Sequence, residues 1–88
     1  MLSDDHYFKK ISQEFEKIHY TVKWVQICLI TKEMQICLKR PTQFTTLNVS
    51  TTIFKLGYTL LCVDNVNDPN YIIIDCSLVH CRFDDYLN

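Results

Sequence analysis

The chain has 88 residues, a mass of 10.5 kDa and a formal charge of -1 with a pI near 6.2. That leaves room for one domain and excludes a nucleic-acid binder that works by neutralising many phosphates at once. Apolar residues make up 48% of it, including five Tyr, five Phe and one Trp, so a packed core is expected rather than disorder, and no apolar run approaches the roughly 18 residues of a membrane span.

The N-terminus MLSDDHYFKK turns polar at once, so no secretory leader is expected ahead of the five cysteines, whose odd number does not suit a framework of paired bridges. The expectation is a reducing intracellular compartment with free thiols at Cys28, Cys37, Cys62, Cys76 and Cys81. There the sequon Asn48-Val49-Ser50 would stay unmodified.

Residues 3–18 predict an amphipathic helix, because Phe8, Ile11, Phe15 and Ile18 recur at helical spacing while Lys9, Lys10, Glu14 and Lys17 fall largely on the other side. Ser3 is placed to cap it, and Asp4 and Asp5 to complement its dipole. From Tyr20 to Arg40 β-branched and apolar residues predict a hairpin, with Gln26-Ile27-Cys28-Leu29 echoed in Gln35-Ile36-Cys37-Leu38. A turn at Lys32-Glu33 would set Cys28 opposite Cys37 and Ile27 opposite Leu38. Val25, Ile27, Leu29, Ile36 and Leu38 would then share one face, and Trp24, Gln26, Gln35 and Lys39 the other. Lys-Glu is not preferred turn chemistry, and a longer loop is the alternative.

Residues 41–52 carry Pro41 and a Thr cluster and read as a loop, in which Phe44 and Leu47 could anchor a short helical turn. A third strand is expected from about Thr52 to Val63, with Gly57 marking a bulge or a close backbone approach. Asp64 to Asn70 reads as a turn. Tyr71 to Leu78 reads as a fourth strand whose Ile72, Ile74, Cys76 and Leu78 alternate onto a buried face, after which Phe83, Tyr86 and Leu87 could dock as a short C-terminal packing element. The expected class is α+β: a single domain over residues 1–88, with an N-terminal helix packed on a four-stranded antiparallel sheet made of two hairpins. The outer sheet face, carrying Trp24, Ile30, Cys28 and Cys37, is more apolar than solvent requires and points to a partner.

The helix-to-strand join Glu16-Lys17-Ile18-His19-Tyr20-Thr21-Val22-Lys23-Trp24, and Ile53-Phe54-Lys55-Leu56 followed by Tyr71-Ile72-Ile73-Ile74-Asp75, resemble the kinase-associated 1 domain. That domain closes checkpoint-type kinases and, more distantly, the AMP-activated kinase α subunit. The family's first helix ends in a pattern like E-K-L-G-Y-x-W-K and its last strand carries one like L-V-D-F-R. Here His19 stands for the helix-ending Gly, Cys76 for the Phe and Ser77 for the Arg, and the ten residues after Leu78 leave the family's long closing helix shortened or absent. The resemblance implies a monomeric, non-catalytic regulatory domain of the nucleus and cytoplasm that restrains its own kinase domain in cis, within the cell-cycle response to DNA damage. Contact residues would be Lys23, Trp24, Asp75, Ser77, Arg82 and Tyr86. Some relatives hold anionic phospholipid, for which Lys9, Lys10, Lys17, Lys39 and Arg40 are the candidates; charges on solvated faces are the alternative reading of these five.

The residues suited to chemistry do not assemble into a reaction site. Cys76, His80 and Cys81 lie close in sequence, but no C-x-x-C pair exists, and on a strand Cys81 would face away from the other two, so ordinary packing is expected and no metal. His6, His19 and His80 fall at element ends with no nucleophile motif around any Cys or Ser, so no catalytic residue is assigned. One Gly rules out phosphate-cradling loops, and no cofactor is expected. Cys28 and Cys37 are expected as half-buried thiols rather than a cross-strand disulfide, and Cys62 and Cys76 as small core hydrophobes. Trp24 is either a contact anchor or a core aromatic against the first helix. The competing function is a free-standing adaptor, of a kind viruses use, that dimerises or captures a host protein through its open sheet face.

Overall fold

The computed structural model describes residues 4–64 and 68–79. The expectations placed on Ser3, His80, Cys81, Arg82, Phe83, Tyr86 and Leu87 lie outside these residues. Two helices and four strands follow in the order α1 (Asp4–Glu16), β1 (Thr21–Cys28), β2 (Glu33–Lys39), α2 (Thr46–Lys55), β3 (Thr59–Asp64) and β4 (Tyr71–Ser77). The strands form one antiparallel sheet in the order β1-β2-β4-β3. Helix α1 packs on β1 and α2 on β3, and both helices feed one core, so the fold is α+β.

In α1 the pair Ile11 and Phe15, one turn apart, is fully buried, each contributing about 2 kcal/mol by area removed from water. Phe8, at the same helical spacing one turn earlier, is exposed. The helix ends with the amide of Tyr20 donating to the carbonyl of Phe15 at 3.0 Å and that of His19 to the carbonyl of Glu16 at 3.0 Å. This paired bonding needs a left-handed residue, and His19 supplies it at φ 65°. Tyr20 then folds back and stacks on Phe15 with ring centroids 6.2 Å apart.

The expected loop over residues 41–52 and strand from Thr52 are corrected by α2. Thr45, extended at φ -132° and ψ 139°, caps the helix by accepting from the amide of Asn48 at 3.2 Å. Val49, Thr52, Ile53 and Leu56 form the buried stripe. The Thr residues that suggested a loop are accommodated, because the Thr52 hydroxyl donates to the carbonyl of Asn48, one turn back, at 2.9 Å. Gly57 sits not in a strand but at φ 87°, closing α2 with the same paired bonds that close α1: Tyr58 amide to Ile53 carbonyl at 3.1 Å and Gly57 amide to Phe54 carbonyl at 3.0 Å. The irregularity in β3 falls at Leu61 instead.

The hairpin register is also corrected. The turn spans the four residues 29–32, with Lys32 left-handed at φ 57°, so Cys28 pairs with Glu33, Ile27 with Met34 and Trp24 with Cys37. The longer turn keeps Met34 in the strand, where it is 1% exposed, at the cost of leaving Leu29 and Ile30 in solvent. The shift leaves the faces intact: Val25, Ile27, Ile36 and Leu38 point to the core, and Trp24, Gln26, Gln35 and Lys39 point outward.

The two halves repeat one another. An offset of 38 residues carries Tyr20 onto Tyr58 and, pair by pair, the ladder Thr21↔Lys39, Val22↔Leu38, Trp24↔Cys37 and Val25↔Ile36 onto Thr59↔Ser77, Leu60↔Cys76, Cys62↔Asp75 and Val63↔Ile74. The bulge at Lys23 maps onto the bulge at Leu61. At the junction Ile36 pairs with its own counterpart Ile74. Two flanking bonds exchange as well, Arg40 amide to Asn70 carbonyl at 2.7 Å and Leu78 amide to Lys32 carbonyl at 2.8 Å. The chain is therefore two αββ units around an approximate twofold axis through Ile36 and Ile74.

Candidate functional site: the open sheet face

Both helices lie on one side of the sheet, and among the described residues no element covers the other side. Its central row runs Trp24, Cys37, Ile73, Asp64 across the strand order, and the next row runs Gln26, Gln35, Asp75, Cys62. On the opposite flank of the central row stand Thr21, Lys39 and Tyr71. Trp24 is 38% exposed, which decides between its two readings: it belongs to the outer face and not to the core under α1. The bulge at Lys23 lets that side chain reach over the sheet, its Nζ 6.0 Å from the centroid of the Tyr71 ring. Cys37 lies buried beneath these neighbours, and desolvation pushes its thiol pKa up, partly offset by the Lys23 charge.

Asp75 lies between Gln35 and Cys62, beside a shallow pocket of about 250 Å³ that Gln26, Cys28, Glu33 and Gln35 also line. Ser77, the next outward position after Asp75, is at the end of its strand, where its Oγ accepts from the Val79 amide at 3.1 Å. Of the expected contact residues, Lys23, Trp24, Asp75 and, at the end of its strand, Ser77 thus share one surface. The partners that sequence reasoning missed are Tyr71 and Ile73. The alternation that buries Ile72, Ile74 and Cys76 requires these two to face outward, so the signal was present.

The five basic candidates do not converge. Lys17 pairs with Glu14 at 2.8 Å, and that hydrogen bond holds the Glu14 carboxyl below its usual range. Lys10 lies over the Tyr58 ring at 5.9 Å, and Lys9 is exposed on α1. Lys39 and Arg40 line a groove of about 550 Å³ with His19, Thr21, Thr45 and Asn48. The groove is shaped by Tyr20, whose hydroxyl donates to the carbonyl of Gln43 at 3.2 Å and accepts from the Thr45 amide at 3.2 Å.

Cys62 is exposed, contrary to its expected core role, because the Leu61 bulge puts it on the outer face. Its thiol donates to Asp64 Oδ1 at 3.0 Å, and that bond to a carboxylate raises its pKa. Cys62, Asp64 and Asp75 bring ligand atoms within 4.8 Å of one another, with Cys62 and Asp64 exposed to water, an arrangement common on protein surfaces without an ion. Cys28 is also exposed, and hydrogen bonds from Thr31 and Ile30 favour its thiolate; its distance in register from Cys37 removes the disulfide alternative. Cys76 is fully buried on the core face, where desolvation pushes its pKa to about 12. Among the described residues no helix is long and apolar enough to cross a membrane.

Compared with known proteins, the chain matches no family model, no curated protein and no solved structure. The second helix stands between β2 and β3, and the segment after the last strand, where the resemblance implies a shortened closing helix or none, lies outside the described residues.

Proposed function

We propose that this chain is a non-catalytic protein-binding module that engages its partner through the open sheet face. The observation that supports this is a half-exposed Trp24 set in one row with Cys37 and Ile73, in the middle of a face that neither described helix covers. Sheet faces of soluble domains alternate to polar where water is their only neighbour, and this row does not. Lys23, Lys39, Asp64 and Asp75 at its margins supply the polar rim that a binding surface needs.

The resemblance of residues 16–24, 53–56 and 71–75 makes a checkpoint-type kinase domain, held in cis and restrained by this contact, the first partner to test. Trp24 is the sole tryptophan of the chain, so its fluorescence reports directly on the face. Titrating the domain with such a kinase domain is expected to blue-shift Trp24 emission and lower kinase activity in parallel, and Trp24→Ala is expected to relieve the inhibition. Inhibition that Trp24→Ala leaves untouched would move the contact off this face, and neither inhibition nor a spectral shift would remove the kinase reading.

A further inference from the structure

We infer that the partner of the open face is a second copy of this chain, joined face to face about a twofold axis along the central row; this rests on the reading of that face as a binding surface. The argument is charge self-complementarity. The row from Trp24 to Ile73 separates a flank that carries two lysines, tempered by Asp68, whose charge acts on Cys37, from a flank that carries Asp75. On one flank lie Lys39 and, above Tyr71, the ammonium of Lys23; on the other lies Asp75. A twofold axis along the row exchanges the flanks. It sets the Lys23 ammonium of one copy, which hangs over β4, onto Asp75 of the β4 strand opposite, and brings Lys39 to the same carboxylate from the adjacent strand. Each pairing then occurs twice, while Trp24, Cys37 and Ile73 meet their own counterparts; Asp64, at the β3 end of the row, also meets its counterpart, at the edge of the sheet where it accepts from the Cys62 thiol. A partner carrying one sign of charge would satisfy one flank and oppose the other.

The size of the face suits such a contact. Four strands about 4.8 Å apart and seven residues of about 3.3 Å each give a plan area on the order of 400 Å², which with side-chain relief reaches the lower class of specific interfaces. A net charge of -1 leaves little long-range repulsion between copies.

Sedimentation equilibrium of the full chain is expected to show a dimer with dissociation in the micromolar range, and Trp24 emission is expected to shift to the blue as concentration rises. The paired change Lys23→Glu with Lys39→Glu, and separately Asp75→Lys, should each weaken association by at least about tenfold. Mixing the two variants should restore a heterodimer, an outcome that loss of folding cannot produce; circular dichroism of each variant provides the control. A wild-type dimer indifferent to both changes, or variants that do not rescue one another, overturns the inference. A wild-type monomer at about 100 μM also overturns it. If the kinase domain still shifts Trp24 in that monomer, the binding role of the face stands without self-association, and if it does not, both readings fall.

Discussion

The two αββ units differ in an instructive way. Facing the helices, the positions that the repeat equates are apolar in both: Phe15 and Ile53, Val25 and Val63, Met34 and Ile72, Ile36 and Ile74, Leu38 and Cys76. Facing outward, the equivalent positions differ almost throughout, as in Lys23 and Leu61, Trp24 and Cys62, Gln35 and Ile73, Cys37 and Asp75, Lys39 and Ser77, while Thr21 and Thr59 are alike. A fold requires only that the inner set be apolar and fit together, because burial is what offsets chain entropy. The outer set is free of that requirement, so its difference between the halves, with Lys23 and Lys39 in the first and Asp64 and Asp75 in the second, is where function has room to reside.

The largest effect that could break this comparison lies on its axis. Ile36 and Ile74 are both fully buried and paired across β2 and β4, so each replaced by Ala is expected to cost about 2–5 kcal/mol, by lost transfer energy and the cavity left behind. If the halves share one core, urea unfolding will show a single transition, with the two costs alike to within about 1 kcal/mol and the double variant non-additive. Two separable transitions would mean that each αββ unit folds by itself and that the shared core is nominal.

The next effect separates Leu38 from its counterpart Cys76. Burial, with some help from the Asp75 charge, raises the Cys76 thiol from its ordinary 9.0 to about 12. Below pH 9 the thiol is protonated whether the chain is folded or not, and its contribution is fully present. Between about 9 and 12 the unfolded chain can release the proton and the folded chain cannot, so stability falls as pH rises, by at most about 1.4 kcal/mol per pH unit from this group. Cys37 and Tyr58, also raised by burial, act in the same direction. Unfolding measured from pH 8 upward should therefore steepen above 9 in the wild type and be visibly flatter in Cys76→Val. Equal slopes would mean that the thiol reaches solvent in the folded state.

The sequence conveyed periodicity better than punctuation. α1, β4 and the division of the hairpin into two faces were legible, because alternation and helical spacing survive any slip of register by an even number of residues, as the hairpin shows. α2 was not, because its Thr residues carry turn propensity on their own, and only the Thr45 cap together with the Val49–Ile53 stripe shows that the segment helps build the core. The repeat was present in Lys17-Ile18-His19-Tyr20-Thr21-Val22 and Lys55-Leu56-Gly57-Tyr58-Thr59-Leu60. Its signature is concentrated at the helix ends, where backbone bonding rather than hydrophobic pattern selects the residues. Of the candidate site, Trp24, Lys23 and Asp75 were legible as residue types. Their meeting on one surface depends on the β2–β4 pairing, which brings together strands more than thirty residues apart by a register that no local pattern encodes.

The smallest test compares those helix ends directly. Gly57 and His19 hold equivalent left-handed positions, at φ 87° and 65°, and close their helices with the same two hydrogen bonds. A Cβ on Gly57 would meet nothing within 4 Å, so Gly57→Ala introduces no clash and its cost is that of the backbone conformation alone, about 1 kcal/mol. His19 already bears that cost, and His19→Gly should return part of it, about 0.5–1 kcal/mol, even though glycine adds entropy to the unfolded chain. The two changes should thus shift the urea midpoint in opposite directions without altering the slope of the transition. If His19→Gly instead destabilises the chain, the imidazole makes a contribution at the mouth of the Lys39 and Arg40 groove that outweighs its backbone strain, and the two units differ at their helix ends as well as on their outer face.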